Sequence, residues 1–179
     1  MVNSIRFNRW MPVALCSALF IGAAQFASAQ ASATANAFGR AEIVTAITIA
    51  KNHDLLFGQI VADAVGGTVS VSTNGTRTTS GPVLLAQSAV SYSTVHQASF
   101  TVTGATNYVY TVSLPSAAVT LTGPGSATMS VTGLNSDPSG TGTLAGGTSS
   151  LNVGGTLNIA PNQAAGAYSG SFAVTVAYQ

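Results

Sequence analysis

Beyond residue 29, the side chains able to ligate a metal or move a proton near neutral pH are few. They are two histidines, His53 and His96, and four carboxylates, Glu42, Asp54, Asp63 and Asp137. His53 abuts Asp54 while His96 lies far along the chain, so neither belongs to an H-x-x-x-H or H-E-x-x-H pattern. Two solvated loop histidines are the preferred reading over a metal site. Nucleophilic catalysis needs a positioned base, and the serines sit in Ser/Thr-rich runs without a G-x-S-x-G elbow. No two of the four carboxylates present a reason to be paired for glycoside hydrolysis. Gly123-Pro124-Gly125 and Gly140-Thr141-Gly142 lack the strand-then-helix setting of a phosphate loop and read as turns. Asn74-Gly75-Thr76 fits a glycosylation acceptor, but a hairpin turn explains it fully. Tyr108 and Tyr110 could line a sugar-binding face, although such tyrosines more often pack in a core or along an edge. The expectation is a protein that is not an enzyme, with no cofactor and no metal.

The amino terminus sets the compartment in which the remainder must fold. Arg6 and Arg9 form a basic leader, Met11 to Ala24 an apolar run, and Ala27-Ser28-Ala29 a small-residue cleavage site. The apolar run is shorter than the roughly 18 to 20 residues that cross a bilayer, so residues 1–29 read as a signal peptide and no membrane span is expected. Cys16 follows Leu15, where a lipoprotein signal wants a small residue, so lipidation is not expected. The chain is thus expected to be exported, to the periplasm, the cell surface or the medium. Removing the leader removes the only cysteine, and no disulfide can form in that oxidising compartment. Three basic residues remain (Arg40, Lys51 and Arg77), too few to neutralise phosphates or to hold an anionic membrane. Nucleic acid is therefore not an expected partner. Low charge together with abundant Thr, Ser, Val and Ala suits a protein that packs against copies of itself.

Period-two patterning runs through the mature part, and helical patterning does not. Side chains alternate across a strand. Tyr108, Tyr110, Val112 and Leu114 alternate, as do Ala98, Phe100 and Val102, Val119 and Leu121, Met129 and Val131, Leu151 and Val153, and Leu157 and Ile159. Between them lie turn clusters, among them Gly66-Gly67, Asp137-Pro138-Ser139-Gly140, Gly146-Gly147 and Gly154-Gly155. Asn74-Gly75 predicts a type I′ hairpin between Thr68–Thr73 and Thr76–Ser80. Residues 134–148 read as a long mobile loop, and Val83–Gln97 as a stretch that could hold one helical turn. The fold class predicted is all-β, a single immunoglobulin-like antiparallel sandwich over residues 40–179. Phe57 is expected to pack among Phe100, Val112, Leu114, Val174 and Val176.

The two ends of the mature chain carry the functional expectation. Ala31, Ala33, Ala35 and Ala37 alternate with polar residues up to Phe38, and after Gly39 the pattern resumes with Ile43, Thr45, Ile47 and Ile49. One strand of that length is improbable. The reading is a domain strand from Glu42 to Ala50 preceded by an extension over residues 30–39, either a donor strand or a disordered Ala-rich linker. At the other end Phe172, Val174, Val176 and Tyr178 share one face of an extended segment. With Tyr178 penultimate and Gly166 fourteenth from the end, this segment resembles the C-terminal signature of chaperone–usher pilus subunits. A closing strand of any secreted sandwich would look the same.

A wider resemblance rests on six segments in order. These are Leu55-Leu56-Phe57-Gly58, Asn74-Gly75-Thr76-Arg77, Phe100 to Gly104, Tyr110 to Pro115, Val153 to Leu157, and Gly166 to Gly170. Together they resemble a bacterial secreted family known as domain of unknown function 4402. That family is similar in layout to spore coat U and archaic chaperone–usher pilin domains, some of which carry a disulfide that this chain lacks. The resemblance implies a structural subunit of a surface filament or coat, assembled by strand exchange. Its implied partners are copies of itself, a periplasmic chaperone and an outer-membrane usher. The implied assembly residues are Ala31, Ala33, Ala35, Ala37, Phe38, Gly166, Phe172, Val174, Val176 and Tyr178. The alternative is a self-contained secreted sandwich that binds a ligand or surface as a monomer. Intact mass or N-terminal sequencing of the exported protein is expected to place its first residue at or near Gln30. Retention of Met1, or a diacylglycerol on Cys16, would contradict that.

Overall fold

The computed structural model describes residues 32–86 and 94–179, with only the backbone described for residues 84–86. The signal-peptide reading of residues 1–29, Gln30 and Ala31, and the central part of the Val83–Gln97 stretch lie outside these residues. The chain divides into two units, Met1–Ala41 and Glu42–Gln179. In the first, residues 32–41 are exposed and carry no strand or helix.

The second unit is an all-β, antiparallel sandwich of curled sheets. Its strands are β1 (Thr48–His53), β2 (Gln59–Val61), β3 (Gly67–Val71), β4 (Arg77–Ser80), β5 (Leu84–Ala86), β6 (Ala98–Thr103) and β7 (Val109–Ser113). They continue with β8 (Val119–Thr122), β9 (Thr128–Asp137), β10 (Thr141–Thr143), β11 (Thr148–Ile159) and β12 (Thr175–Tyr178). Two short 3₁₀ turns, Pro124–Ser126 and Ala145–Gly147, are the only helical pieces among the described residues.

The twelve residues of β11 organise the large sheet. Along one edge, Thr148–Val153 pair with β6 and Gly155–Ile159 pair with β3. Along the other, Asn152–Asn158 pair with β9, which pairs in turn with β8. The sequence reading of Gly154-Gly155 as a turn is thereby corrected: the strand runs straight through. Leu151, Val153, Gly155, Leu157 and Ile159 keep one parity, so a single buried face continues across the glycines. A Cβ on Gly154 would stand 2.5 Å from the Val71 carbonyl oxygen, and one on Gly155 would stand 2.9 Å from Leu134 Cδ2. Glycine is needed where β3 abuts the strand just as β6 leaves it. Opposite Gly155, β9 spends two residues on one, a bulge at Gly133 and Leu134 that Gly133 accommodates with φ of 61°.

The supposed loop over residues 134–148 is also corrected. Leu134–Asp137 extend β9, Thr141–Thr143 form β10 against β7, and only a short turn separates them. Many small Gly, Ser and Thr residues concealed strands there, because sheet neighbours outweigh weak intrinsic preference. The Asn74-Gly75 hairpin joins β3 to β4 as expected, but not by a two-residue turn. The Ser72 and Thr76 backbones pair, the Gly75 N–H donates to Ser72 O at 2.9 Å, and of the loop residues only Gly75 takes a positive φ, 81°. Asn74 Oδ1 instead accepts from the Thr76 N–H at 3.0 Å, a local bond that favours this longer loop.

Two cores result. The first holds Phe57, Val69, Val71, Val83, Val119, Val131, Leu157 and Ile159. The second holds Val102, Tyr110, Leu144 and Leu151, with Phe100, Val112, Val174 and Val176 half-buried around it. Phe57 therefore does not pack among Phe100, Val112 and Val174; it sits at the other end of β11. Leu114 is likewise only half-buried. Leu151, fully buried, is expected on truncation to Ala to lower unfolding stability by about 2–5 kcal/mol. A urea titration with unchanged slope and a lower midpoint is the measurement. Gly154→Ala is expected to destabilise as well, because its clash is with backbone that cannot turn aside.

Candidate assembly surface

The second core is closed on one flank by two strands that each have a single neighbour. Among the described residues β1 pairs only with β6, and β12 pairs only with β7, in registers Thr48↔Thr103 and Val176↔Val112. Their outer edges carry unpaired backbone N–H and C=O groups, which makes each an acceptor for a further strand. The inward side chains beside these edges, Ile47, Ile49, Val174 and Val176, are half-buried rather than sealed. Full burial of such a side chain stabilises by about 1.5–3 kcal/mol, so each keeps part of that gain unrealised.

Tyr178 ties these edges together. Its hydroxyl donates to the Thr45 carbonyl oxygen at 2.6 Å and accepts from the Ala105 N–H at 2.6 Å. One phenol thus joins β12, the β6–β7 turn and the segment leading into β1. The ring lies over Gly104, where any Cβ would collide with it, and tilts against Tyr108 at a centroid distance of 5.4 Å. Tyr110 repeats the device, its ring lying over Gly142 and its hydroxyl donating to Ser149 Oγ at 2.9 Å. Tyr110 is fully buried, which makes it core rather than a sugar-binding platform, while Tyr108 stays exposed.

The residues singled out in the sequence fall in different places. Ala33, Ala35, Ala37 and Phe38 are exposed, and Ala31 lies outside the described residues. Strand pairing begins at Thr48 rather than Glu42, and Ile43 is almost wholly exposed, because the residues before Thr48 have no sheet partner. Gly166 takes φ of 147°, a region that favours glycine, and packs on Pro124. Phe172, Val174, Val176 and Tyr178 are all half-buried as one face, yet only Thr175–Tyr178 is a paired strand. Phe172 reaches the first core and the other three the second, so the C-terminal segment spans both.

Two groupings had no sequence signal. One is the pair of hydroxyl bonds at Tyr178, whose partners are backbone atoms. The other is the stacking of the His53 and His96 rings, with centroids 4.1 Å apart, which the β1–β6 ladder and the Leu56–His96 bridge bring together. His53 therefore ends a strand and touches His96, and the two are not separate loop histidines. Among the described residues no group of three or more His, Cys, Asp or Glu gathers to hold a metal ion, and no helix is long and apolar enough to cross a membrane.

Tyr178→Phe keeps the ring and deletes both hydroxyl bonds, for an expected loss of about 1–2 kcal/mol. Tyr178→Ala should cost more, and paired chemical-denaturation curves would separate the two contributions. A family model described as "Domain of unknown function (DUF4402)" matches residues 47–178. No curated protein and no solved structure matches the chain.

Proposed function

The chain belongs to the DUF4402 family, and we propose that it is an exported structural subunit of a bacterial surface filament or coat, assembled by strand exchange between copies. The observation that carries this reading is the pair of single-neighbour strands, β1 and β12, whose inward side chains are only half-buried at the margin of the second core. An added strand would satisfy the open backbone edge and complete the burial of Ile47, Ile49, Val174 and Val176 in one step.

In this reading residues 30–39 of one copy supply the added strand to the next, and residues 40–179 receive it. Magnitudes assign the roles within the extension. Each buried methyl contributes about 0.8 kcal/mol, so Ala31, Ala33, Ala35 and Ala37 make a weak plug by themselves. Phe38, 94% exposed, is the anchor. Until the edge is filled, the subunit is an aggregation hazard, and a periplasmic chaperone with an outer-membrane usher would protect and order the subunits. We assign the chain no catalytic role.

Size-exclusion chromatography and electron microscopy of the exported protein test the proposal. Wild type is expected to form polymers, co-expressed with its chaperone and usher where these are required. Deleting residues 30–38 should abolish them while leaving a domain that binds a peptide of that sequence in trans. Phe38→Ala is expected to weaken assembly without changing the melting curve of the isolated domain. A wild-type chain that remains monomeric at high concentration with those partners present would instead favour a self-contained secreted module.

A further inference from the structure

We propose that His53 and His96 form a two-imidazole site for a divalent transition-metal ion, with copper(II) the best fit. The ladder sets the pair in place: His53 stands opposite Ser99, and Leu56 stands opposite His96, with Leu56 N–H to His96 O at 2.8 Å and His96 N–H to Leu56 O at 3.0 Å. The ladder brings the two side chains together, and the rings stack with centroids 4.1 Å apart and planes 25° from parallel.

A second observation points to a ligand. Nδ1 of His96 lies 2.7 Å from the Gln97 carbonyl oxygen. A carbonyl only accepts, so Nδ1 carries the proton and, in the neutral ring, Nε2 keeps its lone pair. Holding the non-ligating N–H on a backbone carbonyl is how metal-binding imidazoles are oriented and made more basic. His53 is exposed and turns at little cost. Metal–nitrogen bonds of about 2.0–2.1 Å put two adjacent ligand nitrogens on the order of 3 Å apart. A nitrogen lone pair lies in its own ring plane, so stacked rings do not aim at one point. To share one ion with His96, the exposed His53 swings out of the stack about a backbone that the ladder already holds alongside.

The surroundings select the class of ion. Imidazole nitrogen suits copper, nickel and zinc, and copper(II) heads the affinity order at such sites. Calcium and magnesium demand several oxygen ligands, and the one nearby carboxylate in the sequence, Asp54, is bonded to Lys51 Nζ at 2.6 Å. That ion pair also offsets the charge of Lys51, two residues from His53. Two side chains leave the remaining coordination positions to water, which makes the site open and its affinity modest.

Isothermal titration of the exported protein with copper(II) chloride at neutral pH, together with electron paramagnetic resonance, tests this. One ion per chain is expected, with nitrogen hyperfine structure from two imidazoles, and no response to calcium or magnesium. His53→Ala and His96→Ala should each weaken binding by about tenfold or more. The double variant should lose the two-imidazole signature, leaving only whatever the chain's amino terminus binds. Metal-free melting curves of the variants establish that the fold is kept, and His53→Ala, at an exposed position, supplies that test if His96→Ala does not fold. Unchanged affinity and spectrum in the double variant, or no binding by wild type at millimolar copper, would overturn the proposal.

Discussion

Strand β11 has to serve two different neighbours along the same edge, and that constraint sets the shape of the domain. β6 occupies the first half of the edge and β3 the second, so their ends converge at one point on a continuous strand. Any side chain at Gly154 would strike the Val71 carbonyl, and the bulge at Gly133 lets β9 follow the strand past the same place. The two cores lie on either side of this crossing. Packing on one side therefore depends on the backbone register set on the other, because a one-residue slip would turn every buried side chain outward.

Segments far apart in sequence meet around that spine in ways that account for the motifs. Arg77, at the start of β4, donates to the Phe57 and Gln59 carbonyl oxygens at 2.9 and 3.3 Å. Its guanidinium fills the space beside Gly58, where a Cβ would lie 2.6 Å from Nη1. One of the few charged residues of the domain thus ties the loop carbonyl of Phe57 and the start of β2 to β4. A fork of five N–H donors suits that task better than an ammonium would. Tyrosines laid over glycines repeat at Gly104, Gly123 and Gly142. In each the aromatic ring supplies the apolar cover that a glycine cannot, and the hydroxyl finds a polar partner at the periphery.

The same economy explains the incomplete flank. With so little charge on its surface, the domain has few of the devices by which sheets usually blunt their edges, such as lysines or prolines on the outer strand. β1 keeps Lys51 alone, paired with Asp54, and β12 has no charged residue. Edges of that kind are the ones the proposed strand exchange would use. Tyr178 gives the flank a fixed geometry by holding the chain at Thr45, just before β1 begins.

Side-chain parity along the chain was enough to identify an all-β fold, most of the strands and their buried faces, because strand periodicity is local. Val102, Leu151, Val153, Leu157 and Ile159 were legible in this way. Local patterning could not say which strands are neighbours. Gly154-Gly155 looked like a turn because glycine pairs usually are one, and only the convergence of β6 and β3 makes them the middle of a strand. Residues 134–148 looked like a loop because small polar residues gain their strand preference from neighbours. The division of Phe57 and Phe100 between two cores, the hydroxyl bonds of Tyr178 and the His53–His96 stack all depend on non-local pairing. Each is set by which backbone edge lies next to which, a choice made by the sandwich as a whole.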